Sequence, residues 1–198
     1  MDIDARARGV ARVLGWVGFG TAVCLAVFFA IGGVFGPVND VGNALLGVLS
    51  AVLAWSIRQA GAAAVALAGV GSAITVVGSV LILSDTTGYY LAGLVSSAGF
   101  ALIGGWLIAV NRRLAGTDRS ASRLPLLGTI AGAVMLIGLI GVPGIPAGVD
   151  DMDTAPAYTY IAGFNWLGTY VLFPTWALLV SRMRERQQPG PIHDRSGL

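Results

Sequence analysis

Few residues in this chain could perform chemistry inside a folded core. The sequence has no Lys, one His (His193) and one Cys (Cys24). A Schiff base needs a lysine amine, and haem ligation by imidazole needs a His within the fold. A lone Cys excludes an internal disulfide and a thiolate cluster. The sequence therefore predicts no cofactor and no metal site, and it favours a protein without enzymatic activity.

Asn165 and Thr169 are the first candidate site for a polar ligand. They lie one helical turn apart within a long apolar run, which places Asn165 near its middle. An amide among apolar side chains needs a hydrogen-bonding partner. The partner is either a neighbouring helix, which is the favoured interpretation, or, if the run crosses a membrane, a solute near the bilayer centre.

Asn39, Asp40 and Asn43 form the second candidate site, at the start of another apolar run. A carboxylate at this place is typical of an N-cap, where it also meets the positive end of the helix dipole. We therefore expect Asn39 or Asp40 to cap the helix after Gly36–Pro37. The alternative is an outward-facing site for a cation or a polar solute, built from the three side chains.

The elements that carry these residues are those of a membrane protein. The chain of 198 residues is 56% hydrophobic and 11% charged, whereas soluble domains are about 25% charged. We predict an all-α, polytopic integral membrane protein with one domain over residues 1–186 and a disordered cytoplasmic tail over 187–198. Its six transmembrane helices are predicted at 13–35, 39–57, 61–83, 89–110, 124–147 and 157–180.

Charge placement predicts the topology of these helices. All twelve Arg and five of the ten acidic residues fall on one side of the predicted spans, and the other five acidic residues fall on the opposite side. The positive-inside rule then places both termini in the cytoplasm and arranges the helices as three in-out-in hairpins. We expect a multi-pass protein of a bacterial-type plasma (inner) membrane. Anionic lipids are the expected contact of the Arg-rich face, and nucleic acid is not.

Aromatic and small residues predict how the helices sit and pack. Trp16, Trp55, Trp106 and Trp176 fall near the cytoplasmic interface, where Trp is enriched. Small residues recur along two helices at spacings that place them on one face, which permits close backbone approach in lipid. These faces are Gly61, Ala64, Ala68, Ser72, Thr75 and Ser79 in the third helix, and Gly93, Ser97, Ala101 and Gly104–Gly105 in the fourth. We expect the two faces to meet, and Gly/Ser faces could also join a homo-oligomer or other membrane subunits.

The predicted spans contain no charged residue deep in the bilayer. Proton relays and buried ion sites generally use such residues. The favoured function is therefore a non-catalytic accessory, assembly or lipid-interacting membrane subunit. The alternative is a small transporter or channel-like facilitator for a polar solute or a cation, with Asn165, Thr169, Asn39, Asp40 and Asn43 along its path.

Overall fold

The computed structural model describes residues 4–57, 60–115 and 123–183, which are helical and contain no strand. The predicted tail, 187–198, lies outside the described residues. The α-helices are α1 (Ala5–Ile31), α2 (Phe35–Ser56), α3 (Ala62–Leu83), α4 (Tyr89–Ala115), α5 (Arg123–Leu136), α6 (Ala157–Gly163), α7 (Asn165–Leu167) and α8 (Phe173–Ser181). Five helical stretches are long and apolar enough to cross a membrane, namely α1 to α4 and the stretch Arg123–Gly144. The all-helical class is confirmed, whereas the count of six spans stays a prediction.

The first connection lies earlier than predicted. Gly32 and Gly33 adopt positive φ angles of 69° and 73° and end α1, a conformation that glycine adopts without steric cost. Helix α2 begins at Phe35, with Pro37 in its first turn, where a missing N–H costs no hydrogen bond. The expected N-cap role of Asn39 or Asp40 is therefore wrong, since both residues lie inside the helix.

The fifth segment changes its helix type before it ends. After α5 the chain continues as a 3₁₀-helix over Ile137–Gly144, which contains Pro143. Its three glycines, Gly138, Gly141 and Gly144, are all buried. A 3₁₀-helix has three residues per turn, so this spacing places the glycines on one face. The sixth segment packs closely against that face, and a Cβ at Gly141 would lie 3.0 Å from the Cβ of Ala162.

The sixth segment is broken, which is why it is not one continuous span. Short helices α6 and α7 are followed by a π-helix over Gly168–Leu172 and then by α8. Pro174, in the first turn of α8, cannot donate to the carbonyl four residues back. A single wide turn just before Pro174 accommodates that missing bond. Thr169 and Tyr170 lie in this π-helix, and both are buried in the protein.

The helical segments close into a ring. Each segment packs against its neighbours in sequence, and α8 packs against α1. Helix α4 is the most enclosed, with 72% of its most apolar stretch buried. Residues 32–34, 84–88 and 145–156 connect segments at one end of the bundle, where the Asp150 carboxylate accepts from the Gly88 and Leu91 N–H groups at 2.5 and 3.0 Å. We name this the turn end and the opposite end the terminal end.

The bundle has an apolar surface and a partly polar interior. Large apolar side chains are exposed on α1, α2, α3, α5 and the sixth segment. The buried residues include polar ones from several segments, namely Asn39, Asn43, Ser72, Thr75, Asn111, Asn165 and Thr169. A water-soluble domain would not expose so much apolar surface. Together with the five apolar helices, this distribution is that of a multi-pass membrane protein.

Close backbone contacts involve faces that differ in part from the predicted ones. The expected face of α3 is buried from Ala64 to Ser79. Thr75 of that face contacts Gly99 of α4, but the contact also involves Gly71, which the predicted face does not contain. A Cβ at Gly71 or at Gly99 would lie 2.5 Å from the carbonyl oxygen of the other glycine. Gly104 does not meet α3, because it packs against Gly132 of α5. Helix α4 has small residues on several faces, so one face could not be selected from the sequence.

Two of the four tryptophans that were expected at the cytoplasmic interface are buried inside the bundle. Trp16 and Trp55 are 63% and 60% exposed, but Trp106 and Trp176 are fully buried. The rings of Trp106 and Trp176 meet edge to face at 6.1 Å, and Phe173 stacks on Trp176. The Trp176 indole N–H donates to the Asn111 side-chain oxygen at 2.9 Å. These side chains form an aromatic core towards the terminal end.

Candidate functional site

A chain of hydrogen bonds joins three segments near the turn end. Asn39 donates from Nδ2 to the Thr21 carbonyl oxygen of α1 at 3.1 Å, and Asn43 donates to Asn39 Oδ1 at 3.3 Å. Tyr170, from the π-helix, donates its hydroxyl proton to Asn43 Oδ1 at 2.7 Å. Asn39 and Asn43 lie one turn apart on α2, so helical geometry alone brings these two amides together.

Asp40 is the unusual member of this group. It lies in the second turn of α2 and is only 8% exposed. Among the described residues, its carboxylate accepts no hydrogen bond and forms no ion pair. A buried, unpaired carboxylate is costly, and ionisable residues in membrane helices most often mark functional sites.

Asp40 lines a small polar cavity. The cavity has a volume of about 20 Å³ and is bordered by Asn39, Asp40, Asn43 and Tyr170 on one side and by α3 and α4 on the other. Space for one water needs roughly 10–15 Å³ by this measure. We call it the polar cavity, and it accommodates a group of about the size of one water molecule.

A larger apolar cavity adjoins the polar cavity. Its volume is about 120 Å³, and it lies between the start of α4 and α6. Its aromatic wall, which gives the name aromatic pocket, consists of Tyr89, Tyr90, Tyr160 and Trp166. The two cavities share the lining residues Tyr89, Gly93, Ser97 and Trp166. They are therefore neighbours on either side of one wall.

Hydrogen bonds position the aromatic pocket. Tyr90 donates its hydroxyl proton to Thr159 Oγ1 at 2.8 Å, and Tyr160 donates to the Met152 carbonyl oxygen at 2.5 Å. Phe29 of α1 contacts the rings of Tyr89 and Trp166, both at 6.2 Å between centroids. Aromatic side chains from three segments therefore surround the shared wall.

Asn165 and Thr169 belong to a separate network. Asn165, which is fully buried, donates from Nδ2 to the carbonyl oxygens of Ser97 and Met135 at 3.2 and 2.6 Å. Its Oδ1 accepts the Thr169 hydroxyl proton at 3.0 Å. The amide thus joins the sixth segment to α4 and to α5, and Asn165 does not line the polar cavity. The structure brings Asn39, Asp40 and Asn43 together but leaves Asn165 and Thr169 outside that group.

Sequence reasoning missed three residues of the site. Tyr170 and Trp166 belong to the broken sixth segment, and Tyr89 begins α4, where Tyr is expected at the membrane interface. A tyrosine next to Thr169 in an apolar run was the one available signal, because a buried hydroxyl needs a partner. Its partner, Asn43, is far away in sequence and could not be inferred.

Known proteins do not add to this description. No family model, no curated protein and no solved structure matches the chain.

Proposed function

We propose that this chain is a plasma-membrane protein with six membrane-crossing segments and both termini in the cytoplasm, and that it acts as a non-catalytic accessory, assembly or lipid-interacting subunit. The observation that supports this function is the Asn165 network. Both amide protons are used by the Ser97 and Met135 carbonyls, and the amide oxygen accepts from Thr169. A residue that binds a passing solute would keep at least one amide proton free for it, whereas Asn165 uses both.

The terminal half of the bundle also favours a protein that does not conduct solutes. Trp106, Phe173 and Trp176 are fully buried there, and Asn111 is bonded to Trp176. The packed aromatic rings fill this part of the interior mainly with apolar surface, which does not suit a hydrated solute. An anionic lipid surface remains the expected contact of the Arg-rich face, where about 1 kcal/mol per basic residue is available.

A facilitator for a cation is the second candidate, and Asp40 favours it. Flux measurements on proteoliposomes loaded with a pH-sensitive or sodium-sensitive dye distinguish the two candidate functions. For the favoured function, we expect proton and sodium influx at the rate of protein-free liposomes, in the wild type and in Asp40→Asn alike. Influx well above that rate, lost in Asp40→Asn, would establish the facilitator instead.

The topology is tested by accessibility to a membrane-impermeant maleimide on intact cells. In a Cys24→Ser background, Asp151→Cys is expected to react from outside, because it lies in the connection at the turn end. Arg119→Cys is expected to react only after the membrane is permeabilised. The opposite pattern would place the termini outside and contradict the predicted orientation.

A further inference from the structure

The polar cavity is rich in hydrogen-bond acceptors. The hydrogen-bond chain uses the Tyr170 hydroxyl proton and one amide proton from each of Asn39 and Asn43. The oxygen atoms of these groups each have a further lone pair. The Asp40 carboxylate adds two oxygens that accept no hydrogen bond among the described residues. A ligand group that donates several protons and carries positive charge would satisfy this set.

The volumes of the two cavities suit a ligand with a small charged group, its head, and a larger apolar part, its body. The polar cavity of about 20 Å³ admits a group of about the size of water, which an ammonium group matches. The aromatic pocket of about 120 Å³ is mainly apolar, and a cavity of about 150 Å³ holds benzene. A chain of about four carbons therefore suits the pocket.

The residues that line both cavities suit the part of the ligand where the ammonium group joins the alkyl chain. Tyr89 and Trp166 line both cavities, and aromatic faces attract cations within about 6 Å. Gly93 lies in the same wall, and a Cβ there would meet no atom within 4 Å. The missing side chain at Gly93 therefore leaves open space where the two cavities adjoin.

We propose that the polar cavity and the aromatic pocket form one binding site for a small primary alkylammonium ion, with the ammonium group beside Asp40 and the alkyl chain among the aromatic rings. Met152 and Tyr160, both about half exposed, border the pocket at the turn end and give the ligand access. The site uses only this end of the bundle. It is therefore independent of whether the protein conducts a solute.

Calorimetric titration of the full chain in lipid nanodiscs with n-butylammonium chloride tests the proposal, with empty nanodiscs as the blank. We expect saturable binding to the wild type and at least about tenfold weaker binding to Asp40→Asn, because hydrogen bonds to charged groups are the strong ones. Uncharged 1-butanol, with the same chain, should bind at least about tenfold more weakly. Tetramethylammonium should not compete, since its head is too large for the polar cavity.

Two substitutions in α4 provide a test that does not change the carboxylate. Gly93→Leu fills the shared wall and is expected to abolish binding. Gly105→Leu is the matched control, because a Cβ there would meet only Leu67 Cδ1, at an ordinary 3.7 Å, and it should bind as the wild type does. Wild-type affinity in Asp40→Asn or Gly93→Leu, or equal binding of 1-butanol, would overturn the proposal. Saturable sodium binding without any response to n-butylammonium would assign the site to an inorganic cation and also overturn it.

Discussion

Replacing Gly99 by Ala is expected to lower the free energy of unfolding by about 2–3 kcal/mol. A Cβ at Gly99 would lie 2.5 Å from the Gly71 carbonyl oxygen and 2.6 Å from the Thr75 backbone nitrogen. Both atoms belong to the backbone of α3, so α3 would have to move away from α4. Overpacking of a well-packed contact typically costs 1–3 kcal/mol. In lipid the helices are held by such close contacts, so little else replaces the loss.

Reversible unfolding in mixed micelles with increasing dodecyl sulfate measures this change. Gly93→Ala is the matched control in the same helix, because its Cβ would meet no atom within 4 Å. It is expected to be neutral or to stabilise by up to about 1 kcal/mol, the helix preference of Ala over Gly. If Gly99→Ala unfolds at the same detergent fraction as Gly93→Ala, the close contact between α3 and α4 does not hold the bundle together.

The segments could be placed from the sequence because lipid imposes a simple requirement on them. A helix that crosses the bilayer needs about 20 apolar residues, and the apolar runs fall on α1 to α5 to within a few residues at most ends. The largest differences are at the start of α1 and the end of α5, and the connection between α1 and α2 also lies four residues earlier than predicted. Gly36–Pro37 has the composition of a turn, but Pro is equally suited to the first turn of a helix. Only the positive φ angles of Gly32 and Gly33 identify where the chain reverses.

Which face of each helix points into the bundle could be predicted less well than where the helices begin and end. Where every face of a helix is apolar or small, hydropathy does not select the face that points inward. Trp106 therefore looks interfacial in sequence, although α4 is enclosed by other segments and its side chain is fully buried. For α2 the amide spacing was informative, since Asn39 and Asn43 meet across one turn.

The contacts of the candidate site between residues far apart in sequence could not be predicted, because they depend on how the segments fold and not on a local sequence pattern. Tyr170 reaches Asn43 from within the π-helix that precedes Pro174, where the wider turn changes the direction in which side chains point. Asp40 was expected at a helix start, where its charge would be solvated. The longer helix places it in the second turn instead, which turns an ordinary capping residue into a buried carboxylate beside a cavity.

Replacing Asn165 by Leu, which has nearly the same shape, is expected to lower the free energy of unfolding by about 2 kcal/mol. The substitution removes the two bonds to the Ser97 and Met135 carbonyls and the acceptor for Thr169. Hydrogen bonds between membrane helices average about 0.6 kcal/mol each, so three account for about 2 kcal/mol. The measurement is the same detergent titration.

Thr175→Val is the control for this substitution. Thr175 is also in the sixth segment and also donates a hydrogen bond, to the Val171 carbonyl oxygen at 2.6 Å, but it is half-buried and bonds only within its own segment. We expect it to change stability by less than about 0.5 kcal/mol. A loss in Asn165→Leu no larger than in Thr175→Val would show that the amide does not join the helices. Asn165 would then have to be considered again as a contact for a solute, because its burial would lack a structural reason.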